Sequence, residues 1–147
     1  MDETVNTRVI FGAVKKIGFY VHDLLTFDEE IINVGNGMDI QSGKFKAPVE
    51  GYYSFSFSGT AYECPRTGCL HYFDGAIVNV YKNEEVLFEF HDFHSEGSGK
   101  LRVLSGQWMA KLNGGDTIHH LSVDEGYMTT GWSQRIYFTG QLLLKSD

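Results

Sequence analysis

The clearest pattern in the chain is Tyr52-Tyr53-Ser54-Phe55-Ser56-Phe57-Ser58, where aromatic and hydroxyl side chains alternate. Tyr53, Phe55 and Phe57 share one face and Ser54, Ser56 and Ser58 the other, which predicts a half-buried strand and not a helix. Pro48-Val49-Glu50-Gly51 precedes it as a turn signal. Alternation returns in Ala76-Ile77-Val78-Asn79-Val80-Tyr81 and again in Val86-Leu87-Phe88-Glu89-Phe90, with Lys82-Asn83-Glu84-Glu85 between them as a hairpin connection. Further strands are predicted at Arg8 to Val14, Gly43 to Ala47, Leu101 to Leu104, Gln107 to Leu112, Thr117 to Val123 and Arg135 to Leu144. Turns separate most of them, Asn113-Gly114-Gly115-Asp116 being the plainest, and Gly35-Asn36-Gly37 reads as a turn and not as a phosphate cradle. Roughly eight to ten short strands without intervening helices imply an all-β antiparallel sandwich.

Composition agrees with the strands. The 147 residues include 11 Phe and 8 Tyr, and 17 Gly stand against 2 Pro. Aromatic residues suit a pleated surface and Gly supplies the turns between short strands. The length fits one domain over 1–147, with no internal repeat and no low-complexity linker. So many rings on a small chain exceed what one sandwich interior readily holds, and subunit contacts would hide the surplus. The alternative is that all of them fit one core.

Charge removes some function classes. With 19 acidic against 12 basic residues the net charge is −7, so the basic footprint of a nucleic-acid binder is missing. Lys15-Lys16 is a local basic pair that reads as a solvated strand end. No stretch reaches the roughly 20 apolar residues of a membrane span, so no membrane insertion is expected. Met1-Asp2-Glu3-Thr4 lacks a signal peptide's basic and apolar regions, so a leader has been removed or never existed. No nucleophile elbow, metalloprotease histidine pair or phosphate loop is present, and the expectation is binding and not catalysis.

At this point a family pattern enters. Val9-Ile10-Phe11-Gly12-Ala13, Thr26-Phe27-Asp28, Asn33-Val34-Gly35 and Met38-Asp39 are followed by Ser42-Gly43-Lys44-Phe45-Lys46-Ala47-Pro48-Val49-Glu50-Gly51-Tyr52-Tyr53-Ser54-Phe55. These, with Val80-Tyr81-Lys82-Asn83, Leu112-Asn113-Gly114-Gly115-Asp116-Thr117-Ile118 and Phe138-Thr139-Gly140-Gln141-Leu142-Leu143, resemble the globular head of the complement C1q-like family in order and spacing. The resemblance implies a ten-stranded jelly roll related to tumour necrosis factor, a homotrimer, and a secreted, ligand-binding role in innate recognition. Members typically carry a collagen stalk, whereas no Gly-X-Y run occurs here, so this is an isolated head or a member without a stalk.

Several side chains are candidates for chemistry within that frame. Cys64-Pro65-Arg66-Thr67-Gly68-Cys69 encloses a short loop, and an even cysteine count in an extracellular-looking fold favours a Cys64–Cys69 disulfide over free thiols or a metal site. In His91-Asp92-Phe93-His94-Ser95-Glu96, residues Asp92, His94 and Glu96 have one parity and would share a face of extended backbone. Several C1q-like trimers bind calcium near the three-fold axis after the equivalent strand, but calcium prefers oxygen ligands. Asp92 and Glu96 would serve Ca, whereas His91 and His94 point to zinc or another divalent metal ion; a solvated, pH-sensitive loop is the plain alternative. His119 and His120 should face opposite ways, with His120 inward, buried and hydrogen-bonded. For a lectin-like site that binds glycans or microbial surface ligands, the contacts expected are Tyr62, Arg66, Tyr72, Tyr127 and Trp132. Trp132 has a rival role in core or trimer interface. The competing function is a cytokine-like or scaffolding trimer that binds a protein receptor, and a leaderless cytosolic module is a third reading.

Overall fold

The computed structural model describes residues 7–16, 19–21, 24–62, 75–93, 101–123, 130–132 and 136–146. Every regular element among them is a strand. Tyr52 to Ser58 alternates as expected, and the strand extends on both sides to form β6 (Gly51–Tyr62). β6 organises one sheet. Along one edge it pairs over its whole length with β9 (Leu101–Leu112). Along the other it pairs first with β12 (Ile136–Lys145) and then, at Ala61 and Tyr62, with the three-residue β11 (Thr130–Trp132). Beyond β12 lie β1 (Ile10–Lys15) and the edge strand β3 (Glu29–Val34), while β2 (Phe19–Val21) pairs with β11. The second sheet runs β4 (Met38–Asp39), β5 (Lys44–Lys46), β10 (Thr117–Val123), β7 (Gly75–Lys82) and β8 (Glu85–Phe93). Two facing antiparallel sheets with these crossovers are the jelly roll expected from the sequence.

Two expected strands are one. Leu101 to Leu104 and Gln107 to Leu112 join in β9, because Ser105 and Gly106 stay paired with Ser58 and Phe57 of the equally long β6. A continuous partner ladder outweighs the weakness of one Gly. The hairpin between β7 and β8 is a two-residue turn in which Asn83 takes a φ of 55°. Asn tolerates that left-handed conformation better than most side chains. Its amide nitrogen donates to Thr117 O at 2.8 Å, and its side-chain oxygen accepts from Thr117 N at 3.0 Å. Asp116 closes the next turn by accepting from Asn113 N at 2.8 Å and from Asn83 Nδ2 at 3.2 Å. Burial by itself would raise the Asp116 pKa, but these two donors and Lys82 at 3.9 Å hold it below the usual carboxylate range.

The core lies between the sheets and is built from rings. Phe11, Phe27, Phe45, Tyr53, Phe55, Phe57 and Phe138 are all buried there with Val78, Val80, Leu112, Ile118 and Ile136. Phe11 stacks on Phe45 at 4.8 Å between centroids and meets Phe138 edge-on at 4.8 Å. Gly140 makes this possible, since a Cβ there would run into the rings of Phe11 and Phe55. Burial raises the Tyr53 pKa, and its hydroxyl donates to Val49 O at 2.7 Å, tying the preceding turn to the core. Not every aromatic is inside: Tyr52 and Tyr137 stand on the outer face of the first sheet.

One segment links the layers. Leu25 N donates to His120 O in the second sheet at 2.9 Å, and Asp28 N donates to Val14 O in the first at 2.8 Å, which carries Leu25 and Phe27 into the core. Gly43 lies beneath it with a φ of 74°, and a Cβ there would strike the Leu25 carbonyl. Gly43→Ala therefore meets both a disfavoured backbone conformation and a backbone collision, and should cost about 2–4 kcal/mol. Urea denaturation against the parent chain measures this, and a loss below about 1 kcal/mol would mean that the segment yields freely.

Candidate functional site

The strand pairing brings together two residues that the sequence separates widely. Tyr62, the last residue of β6, is opposite Gly131, and Ala61 is opposite Trp132. Tyr62 and Trp132, both expected as ligand contacts, thus occupy adjacent strands at the same end of the first sheet, but at register positions on opposite faces, Trp132 sharing the face of Ala61. The Tyr62 position is also paired with Leu101 of β9, and the Trp132 position with Phe19 of β2. Arg66, Tyr72 and Tyr127 lie outside the described residues, as do Cys64 and Cys69. By chain order Arg66 and Tyr72 follow directly from this end of β6, and Tyr127 precedes β11.

Asp92 is on β8, an edge strand of the second sheet, opposite Ala76. His94 and Glu96 lie outside the described residues. Among the described residues no three His, Cys, Asp or Glu side chains converge as a metal site would require.

His119 and His120 face opposite ways, as their adjacency on β10 demands. His119 lies on the outer face and stacks on Tyr81 with 5.1 Å between centroids and 9° between planes. Burial, followed by the charge of Lys44, lowers its pKa. His120 turns into the core and is 0% exposed. The expected hydrogen bond is the part that fails: neither ring nitrogen has a partner among the described residues. Its surroundings are rings, with Phe57 stacked at 4.6 Å, Phe138 edge-on at 4.5 Å and Trp108 edge-on at 5.9 Å. Burial, with the neighbouring His119, pushes its pKa down to about 3.

A feature that the sequence left unassigned is the outer face of the first sheet. Registration places Ile32, Gly12, Thr139, Ser56 and Gln107 in one row across five strands, and Val34, Ile10, Gln141, Ser54 and Met109 in the next. Small side chains floor a groove of about 390 Å³, walled by Ile31, Ile32 and Gln107. The hydroxyls of Ser56 and Thr139 are hydrogen-bonded to each other across β6 and β12. Most of the large exposed apolar side chains surround this groove: Ile31, Ile32 and Val34 on β3, Tyr52 on β6, Met109 on β9, and Tyr137 and Leu144 on β12. Met109 is 73% exposed, Leu144 63% and Ile31 59%. A scattered apolar residue is ordinary on a protein surface, whereas a gathering on one sheet face marks a contact surface. The signal was present in the alternation of Ser54, Ser56 and Ser58, whose strand neighbours the sequence could not supply.

Comparison with known proteins agrees with this architecture. The family model described as "C1q domain" matches residues 10–143. Complement C1q tumor necrosis factor-related protein 3 from Mus musculus is 29% identical over 124 residues, covering 83% of this chain and 45% of the relative. The Homo sapiens protein of the same name matches to the same extent, so this chain spans less than half the length of these relatives. Among solved structures, the globular domain of zebrafish complement 1qA protein superposes with a TM-score of 0.73 at 17% identity, covering 94% of this chain and 99% of that one. Eiger TNF from S. frugiperda superposes with a TM-score of 0.64 at 11% identity, covering 95% and 94%. With the jelly roll, the buried Phe and Tyr core and a family match across residues 10–143, the chain belongs to the C1q domain family.

Proposed function

We propose that this C1q domain is a homotrimeric recognition head, which buries the outer face of its first sheet between copies and reads glycans or microbial surface molecules with the loops at the β6–β11 end. The observation that carries the reading is the gathering of Ile31, Ile32, Val34, Tyr52, Met109, Tyr137 and Leu144 on one sheet face around a groove floored by small residues. A flat sheet face with an apolar rim and no bulky centre is suited to self-complementary packing about a symmetry axis. The contacts proposed for ligand are Tyr62, Arg66, Tyr72, Tyr127 and Trp132, of which the Tyr62 and Trp132 positions lie at one end of the first sheet. Aromatic faces stack on the apolar faces of sugars, and three weak sites on one trimer gain affinity through effective concentration. Asp92, His94 and Glu96 are the ligands proposed for a divalent metal ion such as calcium, and Cys64 with Cys69 the bridge that would stiffen the 64–69 loop. This is a binding role and not an enzymatic one, and secretion belongs to the same proposal.

A second reading is favoured by the names of the relatives. C1q tumor necrosis factor-related proteins and Eiger TNF point to a cytokine-like trimer that engages a protein receptor. Native mass spectrometry with and without chelator, followed by a glycan array with the assembled species, separates the possibilities. The expected result is a trimer mass that retains its assembly at micromolar concentration and binds a defined group of glycans. A clean monomer under all conditions overturns the trimer, and a verified trimer silent on the array overturns the lectin reading.

A further inference from the structure

His120 sits where a jelly-roll sandwich needs an apolar side chain. It projects from β10 of the second sheet and packs against Phe57 of β6, Trp108 of β9 and Phe138 of β12, so its ring fills the space between the layers. Buried Val80 is its register partner on β7, and Leu25 N donates to its carbonyl oxygen at 2.9 Å, which holds the segment from Leu25 to Phe27 beside it. An imidazole whose nitrogens have no partner among the described residues is tolerated in such a site only while neutral, because a buried cation without a partner costs far more than an unpaired neutral ring. We propose that His120 is an acid-release latch: neutral, it closes the two sheets on each other, and protonated, it forces them apart.

The described side chains around the ring supply nothing to hold the charged form. The inward register positions of β9 are Arg102, Leu104, Gly106, Trp108, Ala110 and Leu112, of which Arg102 is charged and is itself a cation, and those of β12 are Ile136, Phe138, Gly140 and Leu142, none of them titratable. On β6 the titratable inward residue is Tyr53, whose hydroxyl is engaged with Val49. β7 contributes Val78 and Val80, with Phe88 and Phe90 of β8 at the opposing register positions and Asp92 opposite Ala76 further along the same register face, and the linking segment contributes Leu25 and Phe27. His119, on the outer face of the second sheet, disfavours protonation further. On these strands the carboxylate at an inward register position is Asp92, two rows beyond the Val80–Phe88 row that His120 extends.

The direction of the effect follows. A histidine in the unfolded chain takes up a proton below about pH 6.5, whereas the folded site refuses it until about pH 3. Stability contributed by neutral His120 is therefore complete above the unfolded value and lost progressively as pH falls through the interval between the two. From pH 7.5 to pH 5.0 this one residue should lower the folding equilibrium constant by about 30-fold. The consequence is a head whose frame is about 30-fold less stable at pH 5.0 than at pH 7.5 and loses more as the pH falls towards 3.

The test is urea denaturation of the full chain and of His120→Phe at pH 7.5 and 5.0, at one protein concentration so that assembly is held constant. The expected result is a fall in the parent's folding constant about 30-fold larger than in the variant, in which every other titrating group is retained. An equal fall in both overturns the proposal. A histidine NMR titration of the parent chain gives an answer even where the variant fails to fold. A His120 ring still neutral at pH 5.0 supports the latch, and one titrating near pH 6.5 overturns it.

Discussion

Replacing Phe55 with Ala should remove about 3–5 kcal/mol of stability, which leaves little of the 5–15 kcal/mol that holds a domain of this size together. Phe55 is the meeting point of the ring network. It stacks on Trp108 at 5.6 Å and on Phe138 and Tyr53 at 6.1 Å, meets Phe45 edge-on at 5.5 Å, and lies 6.3 Å from Phe11. Those neighbours come from β1, β5, β9 and β12 as well as from β6 itself, so both sheets lose a common partner. They are held from several directions and cannot collapse into the void, which is why the cost should lie towards the upper end of the range. Phe55→Leu keeps most of the volume and should cost less than half as much. Urea denaturation of both variants with unchanged slope distinguishes a core loss from a change in the unfolded chain. A loss below about 2 kcal/mol for Phe55→Ala would mean that the core repacks around position 55.

The sequence carried this core in one strand and could not carry its surroundings. Alternation in Tyr52 to Ser58 assigned Tyr53, Phe55 and Phe57 to the inside because the pleat repeats every two residues. β3 shows the opposite case. Glu29-Glu30-Ile31-Ile32-Asn33-Val34 is an edge strand with almost every residue exposed, and a bulge beside Gly12 places Ile31 and Ile32 both outward. No period survives such a bulge, so nothing local marks it as a strand. The groove was illegible for a related reason: Gly12, Ser56, Gln107 and Thr139 are ordinary residues scattered over the chain, and only registration makes them a row. His120 was legible as inward from parity with Ile118, whereas the lack of any partner for its nitrogens depends on three strands of the opposite sheet. Tyr62 and Trp132 were chosen for their aromatic character, and their neighbouring positions arise from the pairing of β6 with β11, which neither segment encodes alone.

Ser56→Arg should convert the proposed trimer to a monomer. Ser56 lies at the middle of the outer face, hydrogen-bonded to Thr139 on one side and paired with Gln107 on the other. The positions around it on β1, β6, β9 and β12 are Ile10, Gly12, Ser54, Ser58, Gln107, Met109, Thr139 and Gln141, with no carboxylate among them. An Arg side chain would fill the groove, and three guanidinium groups brought together about one axis would be desolvated without a counter-charge. Removing charges from water without pairing them costs several kcal/mol each, more than a standard interface can absorb. The fold itself should survive, because Ser56 projects away from the core and its neighbours Phe55 and Phe57 keep their places. Glu84→Arg, at the exposed turn between β7 and β8, places the same guanidinium far from that face, with a charge change of +2 in place of +1, and should leave assembly intact. Size-exclusion chromatography with light scattering at about 10 μM reads the mass of each variant, and circular dichroism confirms the strands. Loss of the trimer should weaken multivalent ligand binding by about 10²- to 10⁴-fold while leaving each site's own affinity unchanged. A Ser56→Arg chain that remains trimeric would place the subunit interface elsewhere on the molecule.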